Sequence, residues 1–403
     1  MVVASSTPAW AARAQIAEAG KDCDAAKVHV EAVLRVMEAN ATSASVQEGG
    51  CKVFSRLAGQ GPESCAQIAG CGGIERLARA MREHGEAEAL QQAACCALES
   101  LAAHGFGGQV AQLGGVEAAV AAMSCHLAAP SLQEAACRVL RAVAICSNEC
   151  QARVAADGAE AVVRAMGKHL EAAGLQESGC QVLRDLATHS PFNQAKIAAL
   201  GGIEAVLRAM EAHLALVSIQ EAGCGVLRNM AACNADHQLR IISLNGAQAV
   251  SRAMSAHRAN AKMQWAGCWA LFCLAVHNPN TRSSIVELGA VKEVLHSMEK
   301  HLAVADVQEA GCWALKELIT PDSSAEAKSA DRAGLAAVVR AMKEHPGVAK
   351  VQTACRGALR SLSSRGAANG ESPNRPRCGP HAAHEKNARR RLSSMQSLPT
   401  VWE

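Results

Sequence analysis

Two ladders of chemistry-bearing side chains run through this sequence. Cysteines stand at 51, 95, 137, 180, 224, 268 and 312, and seven times a methionine is followed three residues later by a histidine, at 84, 126, 169, 213, 257, 301 and 345. Sulfur and imidazole donors are the set that holds zinc or copper, and paired thiols are the set that does redox chemistry. Both uses need the donors close together. Zinc sits about 2.3 Å from sulfur, and a disulfide needs Cα atoms within about 7 Å. Equivalent places on neighbouring packed helices lie about 8–10 Å apart, so one donor per helix predicts neither a thiol pair nor a metal site. Each ladder cysteine then reads as a small apolar residue at the flank of a core. The methionine fills a core stripe, and the histidine ends a helix, where it meets the terminal carbonyls and the negative end of the dipole. Cys146 with Cys150, and Cys233 with His237, are isolated pairs in connecting segments and weak signals. There is no P-loop, dinucleotide glycine fingerprint, HExxH or nucleophile elbow, so no catalytic residue, metal or cofactor is assigned.

The elements that carry these ladders form a repeat. The phrase Val-Gln-Glu-Ala-Gly-Cys-Trp-Ala-Leu-Lys-Glu-Leu at 307–318 recurs with glutamine at 47, 91, 133, 176, 220, 264, 308 and 352, and ten residues before every glutamine stands a methionine. Eight copies of one unit, spaced by 42 to 44 residues, fill roughly 9–364. Each unit reads as three helices. In the fifth, Ile203, Val206, Leu207 and Met210 make one apolar stripe behind the Gly201-Gly202 break, and a third helix begins near Ile219. The short first helix is opened by capping residues such as Ser190-Pro191 or Asn278-Pro279. One unit cannot hide its own apolar face, so stacking neighbours must supply the core. The mid-helix glycines at 50, 179, 223, 267 and 311, with Ala94 and Ala136 in other copies, imply a helix approaching too closely for a larger side chain.

Composition agrees with helices. Apolar residues are 50% of the 403, charged ones 19%, and aromatics 2% with no tyrosine, which leaves too little of what a β-sandwich needs. Residues 365–403 hold seven Lys or Arg against three Glu, while the remainder holds 33 basic and 34 acidic residues, so the body is no electrostatic nucleic-acid binder. No stretch reaches about 18 apolar residues and the first ten residues make no signal peptide, so a reducing cytoplasmic setting is expected. Residues 1–8 and the Gly-, Ser-, Pro- and Arg-rich tail 365–403 are expected to be disordered. In that tail, Lys386 to Ser394 carries basic residues ahead of Ser393, the pattern of a basophilic-kinase site or of a minimal nuclear-import signal. Membrane docking through the tail would need a second anchor, and no myristoylation or prenylation motif is present.

The stretch NTRSSIVELGAVKEVLHSMEKHLAVADVQEAGCWALKELI at 280–319 resembles an armadillo repeat, and all eight units fit. The Gly-Cys phrasing is similar to the armadillo segment of leucine-rich-repeat kinases, although no kinase signature is present. The resemblance implies an all-α fold, a right-handed α-solenoid of about eight three-helix repeats, with the third helices lining a concave groove. It also implies a non-catalytic scaffold or adaptor that binds a protein or an extended peptide. Members that grip a peptide use Trp five residues and Asn nine residues after the glutamine. Here only Trp269 and Trp313 keep the first and only Asn229 the second, which argues against regular nuclear-signal recognition.

That departure leaves one unusual patch. Trp265, Trp269 and Phe272 are spaced i, i+4, i+7 away from the core stripe of the sixth copy, and Trp313 follows in the seventh. Aromatics and arginine dominate interface energies, so these four with Arg228, Asn229 and Lys316 on the flanks are the candidate partner-binding residues. The alternative is that the rings pack against a neighbouring repeat or the tail. Arg79, Arg164, Arg208, Arg252 and Arg340 fall opposite the apolar stripe and read as a solvated face.

Overall fold

Left-handed turns decide how many helices each copy contains. Gly72, Gly114, Gly201 and Gly289 have φ between +78° and +84°, and Asn245 has φ +60°. Glycine enters that region without a Cβ clash, and asparagine enters it more easily than most residues, so the chain breaks there between a first and a second helix. The fourth and eighth copies put Asp157 and Ala333 at this position, and there the two helices run on as one. The three-helix unit expected throughout is thus a two-helix unit in those copies.

The computed structural model describes residues 26–319 and 325–368. The expected disordered residues 1–8, most of the tail and Ser393 lie outside them. Contacts divide the chain into two compact units, Met1–Leu186 with Ala195–Ala205, and Ala187–Gln194 with Val206–Glu403. The first contains α1 (Ala26–Ala39), α2 (Ala44–Ala58), α3 (Pro62–Gly70), α4 (Gly73–Glu83), α5 (Glu88–Leu101), α6 (Gly107–Gln112), α7 (Gly115–Cys125), α8 (Pro130–Ala144) and α9 (Asn148–Lys168). Then come α10 (Ala173–Ala187), α11 (Pro191–Ala199) and α12 (Gly202–Ala212). The second unit contains α13 (Val217–Ala231), α14 (Ala235–Ser243), α15 (Gly246–Ala256), α16 (Ala261–Ala275), α17 (Pro279–Glu287), α18 (Ala290–Lys300), α19 (Ala305–Leu318), α20 (Ala325–Glu344) and α21 (Ala349–Ala368). Among the described residues there is no strand: the fold is an all-α solenoid.

Within the first unit the third helices α2, α5 and α8 pack in succession, and within the second α13, α16, α19 and α21 do the same. The expected stripe of Ile203, Val206, Leu207 and Met210 is buried, as are Phe54, Ile68, Leu98 and Leu140. First helices open as their sequences predict. Asn278 Oδ1 accepts from Thr281 N, and Ser190 Oγ accepts from Asn193 N.

The repeated polar residues turn out to be fasteners. Each repeat glutamine is fully or nearly buried, or half-buried at Gln352, and its Nε2 donates to two carbonyls at the end of the second helix. The first is that of the methionine ten residues back, at 2.7–2.9 Å in all eight copies; the second, seven residues back, is at 2.8–3.0 Å. These are carbonyls that the helix itself leaves unpaired. The histidine does not cap its own helix, as the sequence suggested. It ends that helix, and its ring reaches back to the preceding copy. His84 Nε2 donates to Ala41 O at 2.7 Å, His169 to Leu127 O at 2.6 Å, and His301 to Arg258 O at 2.8 Å. The first copy has Asn40 instead, whose Nδ2 caps Val36 O within its own helix.

The mid-helix glycine has the role its spacing implied. A Cβ on Gly179, Gly223, Gly267 or Gly311 would stand 2.4–2.6 Å from the side chain of Met166, Met210, Met254 or Met298, the methionine of the same copy. The five arginines opposite the stripe are all exposed.

Candidate partner-binding site

Three successive third helices of the second unit carry all seven candidate residues. Helix α16 carries Trp265, Trp269 and Phe272; α19 carries Trp313 and Lys316; α13 carries Arg228 and Asn229. The Trp269 and Phe272 rings meet edge to face, with centroids 5.5 Å apart and planes at 84°. Phe272 continues the cluster to Trp313, centroid to centroid 6.1 Å. Two cations sit on the outer rings. The Arg228 guanidinium lies 5.4 Å from the centre of Trp265, and Lys316 Nζ lies 5.1 Å from that of Trp313.

Burial divides the patch in two. Trp269 and Phe272, expected on the outward side, are only 4% and 5% exposed. Trp265, Trp313, Arg228 and Lys316 are half-buried. Residues 266–276 are buried almost without interruption, because α16 is flanked by third helices on both sides as well as by its own core. The inner rings therefore form the floor of the cluster and the outer tryptophans its surface. Asn229 is buried; its Nδ2 donates to Thr188 Oγ1 at 2.9 Å, and its Oδ1 accepts from Arg228 Nε at 3.2 Å. It positions the arginine rather than facing solvent. Lys316 also pairs with Glu317 at 3.1 Å, and Glu317 with Arg282 at 3.4 Å.

One feature of the floor was invisible to sequence reasoning. The indole Nε1–H of Trp269 is buried and has no hydrogen-bond acceptor. A buried donor left unpaired costs about 1–3 kcal/mol, and tryptophans in cores usually find an acceptor.

All seven rungs of the thiol ladder are fully buried, and burial pushes the thiols of Cys51, Cys137, Cys180 and Cys268 from the ordinary 9.0 up to about 12. Among the described residues no cluster of three or more His, Cys, Asp or Glu is arranged to hold a metal ion. Cys233 is exposed, while His237 is buried with its Nδ1 3.1 Å from Met230 O. One expectation about the thiols fails. Cys355 stands three residues after its glutamine rather than four, and its Sγ lies 3.5 Å from that of Cys312. The shift turns the side chain by about 100° around the helix, so the separation that keeps equivalent rungs apart does not apply.

Residues 202–370 match the family model described as LRRK2 ARM repeat. That stretch is thus similar to an armadillo-repeat segment. Solved structures carry the same fold. A chain from a study of a phosphorylation switch controlling the interaction between cadherin and β-catenin aligns over 97% of this chain and 85% of its own, with 18% identity and a TM-score of 0.51. Two engineered proteins align over 58% and 61% of this chain and 93% and 96% of their own, with 18% and 19% identity and TM-scores of 0.51 and 0.53. No curated protein matches the sequence. At these identities the likeness to solved structures speaks for the fold alone.

Proposed function

We propose that this protein is a protein-binding scaffold and that a partner polypeptide seats on the aromatic cluster of α16 and α19. The observation that carries the reading is the unpaired, buried indole N–H of Trp269, edge to face with Phe272, on helices that also carry two half-exposed tryptophans, each with a cation over its face. A peptide carbonyl or side-chain oxygen would satisfy that donor. An apolar or aromatic side chain would cover Trp265 and Trp313, and an acidic group would meet the Arg228 and Lys316 rim. The neighbouring structure concerned with cadherin and β-catenin supports a protein as the class of ligand. The near-neutral body supports a protein rather than a nucleic acid. No reaction is assigned to the site, and the same reading places the scaffold in the cytoplasm.

The test is to pan a random peptide library against the full chain and against Trp265→Ala/Trp313→Ala, with helicity checked for both. These two residues are chosen because they are half-exposed, whereas truncating Trp269 or Phe272 would also remove core. The wild type is expected to enrich peptides combining an apolar residue with an acidic one, and the variant to lose them. Equal enrichment of the same sequences by both proteins would overturn the site.

A further inference from the structure

One ladder rung, Cys312, meets a second thiol. Third helices of the other copies have glycine or alanine three residues after the glutamine, at 50, 94, 136, 179, 223, 267 and 311, so no second thiol stands there. In α21 that place is Cys355, facing Cys312 of α19 across two packed third helices. At 3.5 Å the two sulfurs are about 1.5 Å from a disulfide bond length, a distance that a small sliding of packed helices covers. Both are free thiols.

We propose that Cys312 and Cys355 are an oxidation site, which a peroxide converts to a disulfide tying α19 to α21. The order of events follows from the contact. The hydrogen-bonding contact between the two sulfurs holds Cys355 below the ordinary thiol pKa, while the same contact and burial hold Cys312 well above it. Cys355 is therefore the thiolate that attacks. Its sulfur displaces hydroxide from hydrogen peroxide, giving a sulfenic acid. Cys312 loses its proton and attacks that sulfur, the S–S bond forms, the S–O bond breaks and hydroxide leaves. Two thiols and one peroxide become one disulfide and two waters.

The link would bear on the surface already described. Trp313 follows Cys312 in sequence, and its ring would lie 3.7 Å from a Cβ placed on Gly357, two residues beyond Cys355. A covalent tie here fixes the flank of the Trp313 ring against α21. The oxidation site itself does not depend on partner binding.

The experiment treats the native full chain with graded hydrogen peroxide, alkylates the remaining thiols and maps peptides by mass. The expected result is a Cys312–Cys355 linked peptide, two hydrogens lighter than its parts, with a melting temperature higher by roughly a few degrees. Cys355→Ala should abolish the link and keep the fold, because Ala94 and Ala136 occupy the same place in their copies. Should that variant fail to fold, Cys312→Ser serves instead, and mapping of the wild type is decisive without either. If exposed Cys125, Cys146 and Cys233 are oxidised while Cys312 and Cys355 still alkylate as free thiols on unfolding, the proposal is overturned. A link that forms only in denaturant overturns it equally.

Discussion

The seam between second and third helices and the outer surface of α13, α16 and α19 follow opposite rules. Along the seam the first seven copies repeat the same solution: a glutamine closes the second helix, glycine or alanine stands three residues after it, and a buried cysteine follows at the fourth. Away from the core stripe the copies diverge, and the sixth and seventh put tryptophan and phenylalanine where others put Glu, Arg or Gln. A residue found in every repeat is explained by what every repeat must do, which is to pack. A residue found in one or two needs a local explanation, and the one we propose is a protein partner. Cys355 is a deviation of the same kind, one place out of register on an otherwise regular ladder.

That contrast can be broken at several strengths. The largest effect should come from alkali. With folded-state thiol pKa values of about 12 against an ordinary 9.0, the native state holds protons that the unfolded chain releases, so stability falls as pH rises above 9.0 and keeps falling toward 12. Each such rung removes up to about 1.4 kcal/mol per pH unit in that window, on the order of several kcal/mol for the set. Urea titrations at pH 8 and pH 11 would show it. Replacing Cys51, Cys137, Cys180 and Cys268 by alanine should flatten the slope, and an unchanged slope would mean that the rungs are not buried thiols.

Next in size is Gln220→Leu. It strips the carbonyls of Met210 and His213 of the donor that reaches them at 2.8 and 3.0 Å. The expected cost is about 1–3 kcal/mol by urea unfolding, since the buried Met210 carbonyl loses its donor while His213 O keeps Leu216 N at 2.9 Å. His257→Phe should cost less, about 1 kcal/mol, because it removes a single bond to Leu214 O at a more exposed position. Smallest is Gly223→Ala. The added carbon would meet the flexible Met210 side chain, and Ala94 and Ala136 show that a copy can absorb it. A change within about 1 kcal/mol is expected, partly offset by the higher helix propensity of alanine. A loss as large as that of Gln220→Leu would mean that the methionine cannot move.

Much of this was legible before any coordinates. Periodicity located the helices, and the missing glycine pair at Val28-His29 and the missing histidine at Asn40 marked the first copy as different. The fused helices at Asp157 and Ala333 were equally visible, since those copies lack the glycine or asparagine found at this place elsewhere, yet the repeat average concealed them. What the sequence could not show involves second neighbours. A helical wheel sorts residues between one core and solvent, but α16 has helices on both flanks, so Trp269 and Phe272 left the core stripe without reaching the surface. The histidine bond to the preceding copy was hidden for the same reason, as it links residues 41 to 43 apart. The one-place shift of Cys355 was visible, but its meaning needed the facing helix.

The central claim, that the deviating aromatics rather than the repeated residues bind the partner, is tested most directly by titration calorimetry. A peptide recovered by panning would be titrated into the wild type, into Trp265→Ala/Trp313→Ala, and into Arg252→Ala on the exposed face of α15 in the same copy. Affinity is expected to fall on the order of tenfold or more for the tryptophan variant and to stay unchanged for the arginine one. Equal affinity for all three, or a loss confined to Arg252→Ala, would contradict the claim.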